Sequence, residues 1–243
     1  DTYGLIEADL ATAELIFTPA GPARDVGFDK SMIAAYGHDD RSSVYTTLQA
    51  HFDAETAPHT QITVLYDKEE IGSYGKTGAQ NTFFTRIIED LIDLSGSSYR
   101  TSKVWSQTKV LSCDVTSGLN PNFSDVQDST NTNNMGYGVS VEKYGGRNGK
   151  YVTSEANVEF MHALTSLFDA SNISWQTGEN GKIDVGGGGT IAMFLARHGA
   201  DVIDIGIPVL GMHAPYELAS KYDLYTAYQA YKVFLESQLK TFN

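Results

Sequence analysis

Apolar positions along this chain follow two periods. Phe83, Phe84, Ile87, Ile88, Leu91 and Ile92 recur at helical spacing and predict a helix with one buried stripe. Ser154 to Ala170, carrying Val158, Met161, Leu164, Leu167 and Phe168 on one side, predicts a second. Tyr222 to Leu239 predicts a third, packing Leu224, Ala227, Tyr228, Tyr231 and Leu235 as scaffold. Tyr45, Leu48 and Phe52 keep the same spacing behind Asp39 and Asp40, either of which stands where an N-cap belongs. Short apolar runs lie between these stretches: Ile62 to Leu65, Lys109 to Cys113, Val139 to Lys143 and Val202 to Leu210. Runs of that length, bounded by turn residues, read as strands, and with the helices they predict an α/β domain. Ala13 to Phe17 reads as one more strand, stopped by Pro19, Gly21 and Pro22; Phe123 to Met135 reads as a surface loop and Gly145 to Gly149 as a turn.

The ends of the runs carry the chemistry. Glu69 and Glu70 follow Ile62 to Leu65, Asp114 follows Lys109 to Cys113, and His213 follows Val202 to Leu210. Taken singly, these are also what a solvated turn, an Asx-turn and a structural histidine look like. Together they fit the rule that ligands of open α/β sheets collect beyond the carboxyl ends of strands. Adjacent carboxylates point in different directions, so one of Glu69 and Glu70 can ligate a metal while the other acts as general base. Several acids brought together repel one another unless cations fill the space between them. Mixed carboxylate and imidazole donors suit zinc, manganese or cobalt better than calcium. Gly186 to Gly189 precede a helix opening at Thr190 and lack the Lys-Ser/Thr of a phosphate loop. Close approach of backbone to a substrate fits them better, with Gly188 and Gly189 as the candidate contacts. His162 reads as structural and Cys113 as a small buried apolar residue.

Seventeen basic against thirty acidic residues leave a net charge of −13 over 243 residues, which argues against nucleic acid or an anionic membrane as partner. No run approaches the length of a membrane span. The single cysteine cannot form an internal disulfide and points to a reducing, cytoplasmic setting. The chain opens on Asp1, which raises the expectation of sequence upstream.

The strings AYGHDDRSSVYTTLQA, YDKEEIGSYGKTGAQ, SCDVTSGLNP, GGGGTIA and DIGIPVLGMHAP, in this order and spacing, resemble the M18 family of metalloaminopeptidases, the aspartyl aminopeptidase and aminopeptidase I group, and most closely its bacterial aminopeptidase I-like branch. The resemblance implies a three-layer α/β/α domain with a mixed, largely parallel sheet, here lacking its N-terminal part. It makes residues 1–27 the returning end of an inserted, dimerisation-type domain and 28–243 the C-terminal part of the catalytic domain. It implies two divalent ions, zinc foremost, bridged by Asp39; Glu70 and His213 complete one site, Asp114 binds the other ion, and Glu69 is the general base. A further histidine ligand is expected from the missing N-terminal half, peptides are the implied substrates, and the implied assembly is a homo-oligomer, commonly a dodecamer. Two positions depart from the family pattern. Ser117 stands where many relatives carry a histidine three residues after the aspartate, and Glu142, followed by Lys143, stands where aspartyl-specific members carry the lysine that receives the substrate side chain. Two other readings are a non-catalytic binding protein on a peptidase scaffold and a metal-dependent carboxypeptidase or deacylase.

Overall fold

Three of the amphipathic stretches fold as predicted. A computed structural model describes residues 2–148 and 151–239, so Gly149 of the expected turn lies outside the described residues. In chain order the elements are α1 (Glu7–Leu10), β1 (Arg24–Val26), β2 (Met32–Ala35), α2 (His38–Asp53), α3 (Phe83–Leu94), α4 (Thr101–Trp105), β3 (Lys109–Cys113), β4 (Thr116–Ser117), β5 (Val139–Glu142), β6 (Gly146–Arg147), α5 (Val158–Ala170), β7 (Trp175–Thr177), β8 (Gly187–Gly188), α6 (Ala192–Ala196), β9 (Asp201–Gly206), β10 (Pro208–Leu210), β11 (Glu217–Ser220) and α7 (Lys221–Glu236). Asn157 caps α5 by accepting from the Phe160 N–H at 2.7 Å, and Ser220 caps α7 by accepting from the Asp223 N–H at 3.3 Å.

The strands form two main mixed sheets. One has the order β3-β9-β5-β7, with β3/β9 and β5/β7 parallel and β9/β5 antiparallel. Side-chain alternation sends its two faces to different helices. Val139, Val141, Ile203 and Ile205 join Phe160, Leu164 and Phe168 of α5 and Ala227, Ala230 and Tyr231 of α7 in the larger core. Val110 and Val202 face the other way, against Ile88, Trp105, Ala192 and Leu195. Helices therefore cover both faces, which is the three-layer α/β/α arrangement. The second sheet, β1-β2-β11-β10-β4, is antiparallel except for β10/β4. Phe160 is fully buried, and Phe160→Ala should cost about 3–5 kcal/mol of stability, read as a lowered denaturant midpoint with an unchanged slope.

Four expectations change. Val202 to Leu210 is not one strand: the chain leaves the first sheet after Gly206 and enters the second at Pro208. Its parallel neighbour makes the same crossing, from β3 to β4 through Asp114, with the Asp114 N–H donating to the Ile205 carbonyl and the Thr116 N–H to the Ile207 carbonyl. Gly206 permits this, because any β-carbon there would collide with the Asp114 carbonyl. Ile62 to Leu65 joins no ladder among the described residues and lines an open cleft instead. Ala13 to Phe17 is likewise no strand, and Leu15, Ile16 and Phe17 are exposed. In α2, Tyr45 and Phe52 face solvent and the buried side is Ser42, Ser43, Thr46 and Ala50, because small side chains let α2 lie close against α7.

Candidate metal centre

Each predicted side chain reaches the site by a different local device. Gly37, at φ +77°, opens α2 in the left-handed region without a side-chain cap, so neither Asp39 nor Asp40 serves as the expected N-cap. Both keep non-helical backbone angles, the peptide between them is cis, and neither carboxylate caps the helix. Glu69 and Glu70 lie in a single turn of 3₁₀ helix, Glu69–Ile71, held by bonds from the Gly72 N–H to the Glu69 carbonyl at 2.8 Å and from the Ser73 N–H to the Lys68 carbonyl at 2.7 Å. Asp114 sits where β3 hands over to β4, its Oδ1 accepting from the Val115 N–H at 2.7 Å. His213 stands in the turn between β10 and β11 at φ +66°.

The fold brings these segments together. His213 Nε2 lies 2.7 Å from Asp39 Oδ2 and 3.3 Å from Glu70 Oε1. Ligand-type atoms of Asp39, Glu70 and His213 all fall within 4.8 Å of one another, and so do those of Asp39, Asp40 and Asp114. Asp39 is common to both trios. In the sequence Asp40 reads only as a cap, whereas in the fold its buried Oδ1 has no hydrogen-bond partner among the described residues. The doubling of Asp39-Asp40 was the one signal that could have exposed it, since one cap does not need two acids.

Crowding explains the electrostatics. Burial, then the charge of Glu70, pushes the Asp39 carboxyl up to about 6, and burial with the charges of Glu70 and Asp39 pushes Glu69 up to about 7. Asp40 and Asp114 are raised further, first by burial and then by the neighbouring carboxylates. An acid cluster that holds protons near neutrality, with an unpartnered buried carboxylate oxygen at its centre, matches what divalent cations neutralise, and the oxygen and imidazole donor set suits zinc-type ions.

Gly188 and Gly189 stand outside both trios. Gly187 and Gly188 pair with β6, and a β-carbon at Gly187 would lie 2.6 Å from the Gly146 carbonyl oxygen, so the run is required at least in part by the protein's own backbone. Thr190, directly after it, donates to Asp204 and meets the Ser112 hydroxyl at 2.7 Å. Ser117 accepts from Gln127 Nε2 at 2.9 Å; the buried Glu142 accepts from Thr116 and from Asn133; Lys143 pairs with Glu155 at 2.9 Å.

The fold is a three-layer mixed α/β domain in which four carboxylates and an imidazole from distant segments are drawn together in two trios joined at Asp39. Residues 1–235 match the family described as aminopeptidase I zinc metalloprotease (M18), and the chain belongs to that family. It is 42% identical to a probable M18 family aminopeptidase 1 of Thermotoga neapolitana over 97% of this chain and 53% of the relative, and 44% identical to that of Borreliella afzelii over 96% and 52%. The crystal structure of an M18 aminopeptidase from Thermotoga maritima superposes with a TM-score of 0.87 at 41% identity, covering 91% of this chain and 50% of that one. The chain spans about half the length of the curated relatives it matches.

Proposed function

We propose that the protein removes the N-terminal residue from peptides as a metal-dependent aminopeptidase, with Asp39 shared between two cation sites, Glu70 and His213 completing one and Asp114 serving the other. The observation that carries this reading is the pair of ligand trios joined at Asp39. Asp40, in the second trio with Asp114, is available to the same cation site, beside which the reading retains an expected upstream histidine. When bound, zinc-type cations supply Lewis acidity that polarises a scissile carbonyl and makes water more acidic. Glu69 does the proton work: one of its carboxylate oxygens takes the proton from the attacking water and delivers it to the leaving amine nitrogen. In the cation-free cluster burial, then the charges of Glu70 and Asp39, hold its carboxyl up at about 7. A bound metal or a nearby acid of the cluster would hold the substrate's free α-amino group, which makes the reaction an exopeptidase one. Gly188 and Gly189 remain proposed substrate contacts.

The upstream half of the domain that this reading expects has a natural seat. A cleft of about 440 Å³ opens on Asp40, Glu69 and Asp114 and is walled by Ile62, Val64, Phe84, Ile88 and Phe234. The stretch Ile62 to Leu65, which joins no ladder among the described residues, and these apolar walls support packing of the upstream half of the domain there, with residues 1–27 belonging to the inserted domain and 28–243 to the catalytic one. The exposed Leu15, Ile16 and Phe17 support a homo-oligomer of the dodecamer type. No helix among the described residues is long and apolar enough to cross a membrane, and the free Cys113 supports a reducing, cytoplasmic setting.

The test is a panel of chromogenic aminoacyl substrates with free and with blocked α-amino groups. Hydrolysis confined to the free-amino series is the expected result, while hydrolysis of blocked substrates alone would transfer the protein to the deacylases. His213→Ala should bind one equivalent of zinc fewer than the unaltered protein, measured by elemental analysis after gel filtration.

A further inference from the structure

We infer that Glu217 is a positioning residue for this centre, an inference that rests on the metal-centre reading above. Its side chain is 2% exposed, and its two oxygens serve two distant segments: Oε1 accepts from the His213 N–H at 2.8 Å and Oε2 from the Asp39 N–H at 2.9 Å. Asp39 and His213 are the pair whose side chains meet at 2.7 Å in the first trio. They are 174 positions apart in sequence, and one carboxylate fastens the backbone of both.

The fold makes Glu217 a rigid post. It opens β11, which is paired on one side with β2, placing Glu217 opposite Ala35, and on the other with β10. β2 leads directly into the Asp39 segment and β10 into the His213 turn, so the strand carrying Glu217 lies between the two strands that deliver the residues it ties. His213 needs such a tie. At φ +66° it occupies a backbone region that a non-glycine residue rarely adopts, and the accepted N–H fixes that peptide plane. A carboxylate accepting two N–H groups forms charge-assisted bonds, stronger than those of a neutral acceptor. The charge has a second consequence, because a buried carboxylate bound to the backbone of two members of the first trio adds negative charge beside it and so favours a cation there. Ordering of ligands from behind in this way is worth about 10- to 100-fold in metal affinity where comparable supports have been removed.

Glu217→Gln separates this role from general scaffolding, because an amide keeps the shape but can accept from only one of the two N–H groups. Asp223→Asn is the comparison. Asp223 is fully buried and its carboxylate also accepts from two backbone N–H groups, those of Gly136 and Gly138, without touching either trio. Each purified protein is stripped with chelator, checked by circular dichroism, titrated with Zn²⁺ against a chromogenic competitor, and loaded with Co²⁺ to record its visible spectrum. Glu217→Gln should keep the fold, bind zinc about 10- to 100-fold more weakly and shift the cobalt bands, with kcat falling more than KM rises. Asp223→Asn should lower Tm and leave zinc affinity unchanged. Equal zinc affinity in Glu217→Gln and the unaltered protein would overturn the positioning role while leaving the metal centre standing. Failure of the unaltered protein to bind zinc would instead overturn the centre itself. Should Glu217→Gln fail to fold, Glu217→Asp, which keeps both acceptors but draws them back by one methylene, is read by the same titration and decides on the same outcomes.

Discussion

Glu69→Gln is expected to leave fold and metal content intact and to lower turnover about 10²- to 10⁴-fold, the range that one positioned proton-transfer group contributes. Glutamine has nearly the size of glutamate, and Glu69 belongs to neither ligand trio, so the substitution removes the base and little else. Glu70, its neighbour in the same turn, offers the internal contrast. Glu70 Oε1 lies 3.3 Å from His213 Nε2 inside the first trio, and Glu70→Gln should weaken zinc binding as well as turnover. The measurements are kcat on a free-amino substrate and zinc content on the same preparation. Glu69→Gln protein that turns over at the unaltered rate would remove Glu69 from the mechanism.

Metal removal should make the protein's stability fall as pH rises, the reverse of ordinary carboxylate behaviour. In an unfolded chain Asp39 loses its proton near 3.8 and Glu69 near 4.5, whereas in the metal-free fold they keep theirs to about 6 and about 7. Across that window the folded state holds more protons than the unfolded one, so each rise in pH favours unfolding. Asp40 and Asp114, raised by the same crowding, extend the effect in the same direction. Their stabilising share is therefore complete below pH 4 and is lost as pH climbs through 6 and 7. Cations reverse the balance because they bind the deprotonated cluster. At zinc about a thousandfold above its Kd, mass action returns about 4 kcal/mol, on the order of 10 °C in Tm for a chain of this size. Thermal melts at pH 5 and pH 8, with chelator and with zinc, check this. The gap between zinc and chelator curves should be wider at pH 8. A gap that narrows, or a metal-free protein more stable at pH 8 than at pH 5, would contradict the crowded-acid account.

Much of this was legible in the chain itself because helical stripes and apolar runs are local. Phe83 to Ile92 and Val158 to Phe168 declare their buried faces through spacing alone, and α3 and α5 formed there. The α2 stripe misled, since Tyr45 and Phe52 carry the spacing of a core face and the structure turns them outward. Which side of a helix is covered depends on what lies against it, and α2 lies against α7. Ile62 to Leu65 had the composition of a buried strand but no ladder neighbour among the described residues, so its local propensity went unanswered.

What the sequence determined alone was the inventory: acids and one imidazole, each at the end of an apolar run, in an order that marks the family. Only the tertiary structure decided that Asp39 is shared by two trios, that Asp40 joins Asp114, and that Glu217 stands behind Asp39 and His213. The physical reason is that ligand geometry and carboxylate repulsion act through space over a few ångströms. Glu217 is an unremarked strand residue in one dimension, and its meaning arises only when β11 inserts between the strands leading to residues 39 and 213.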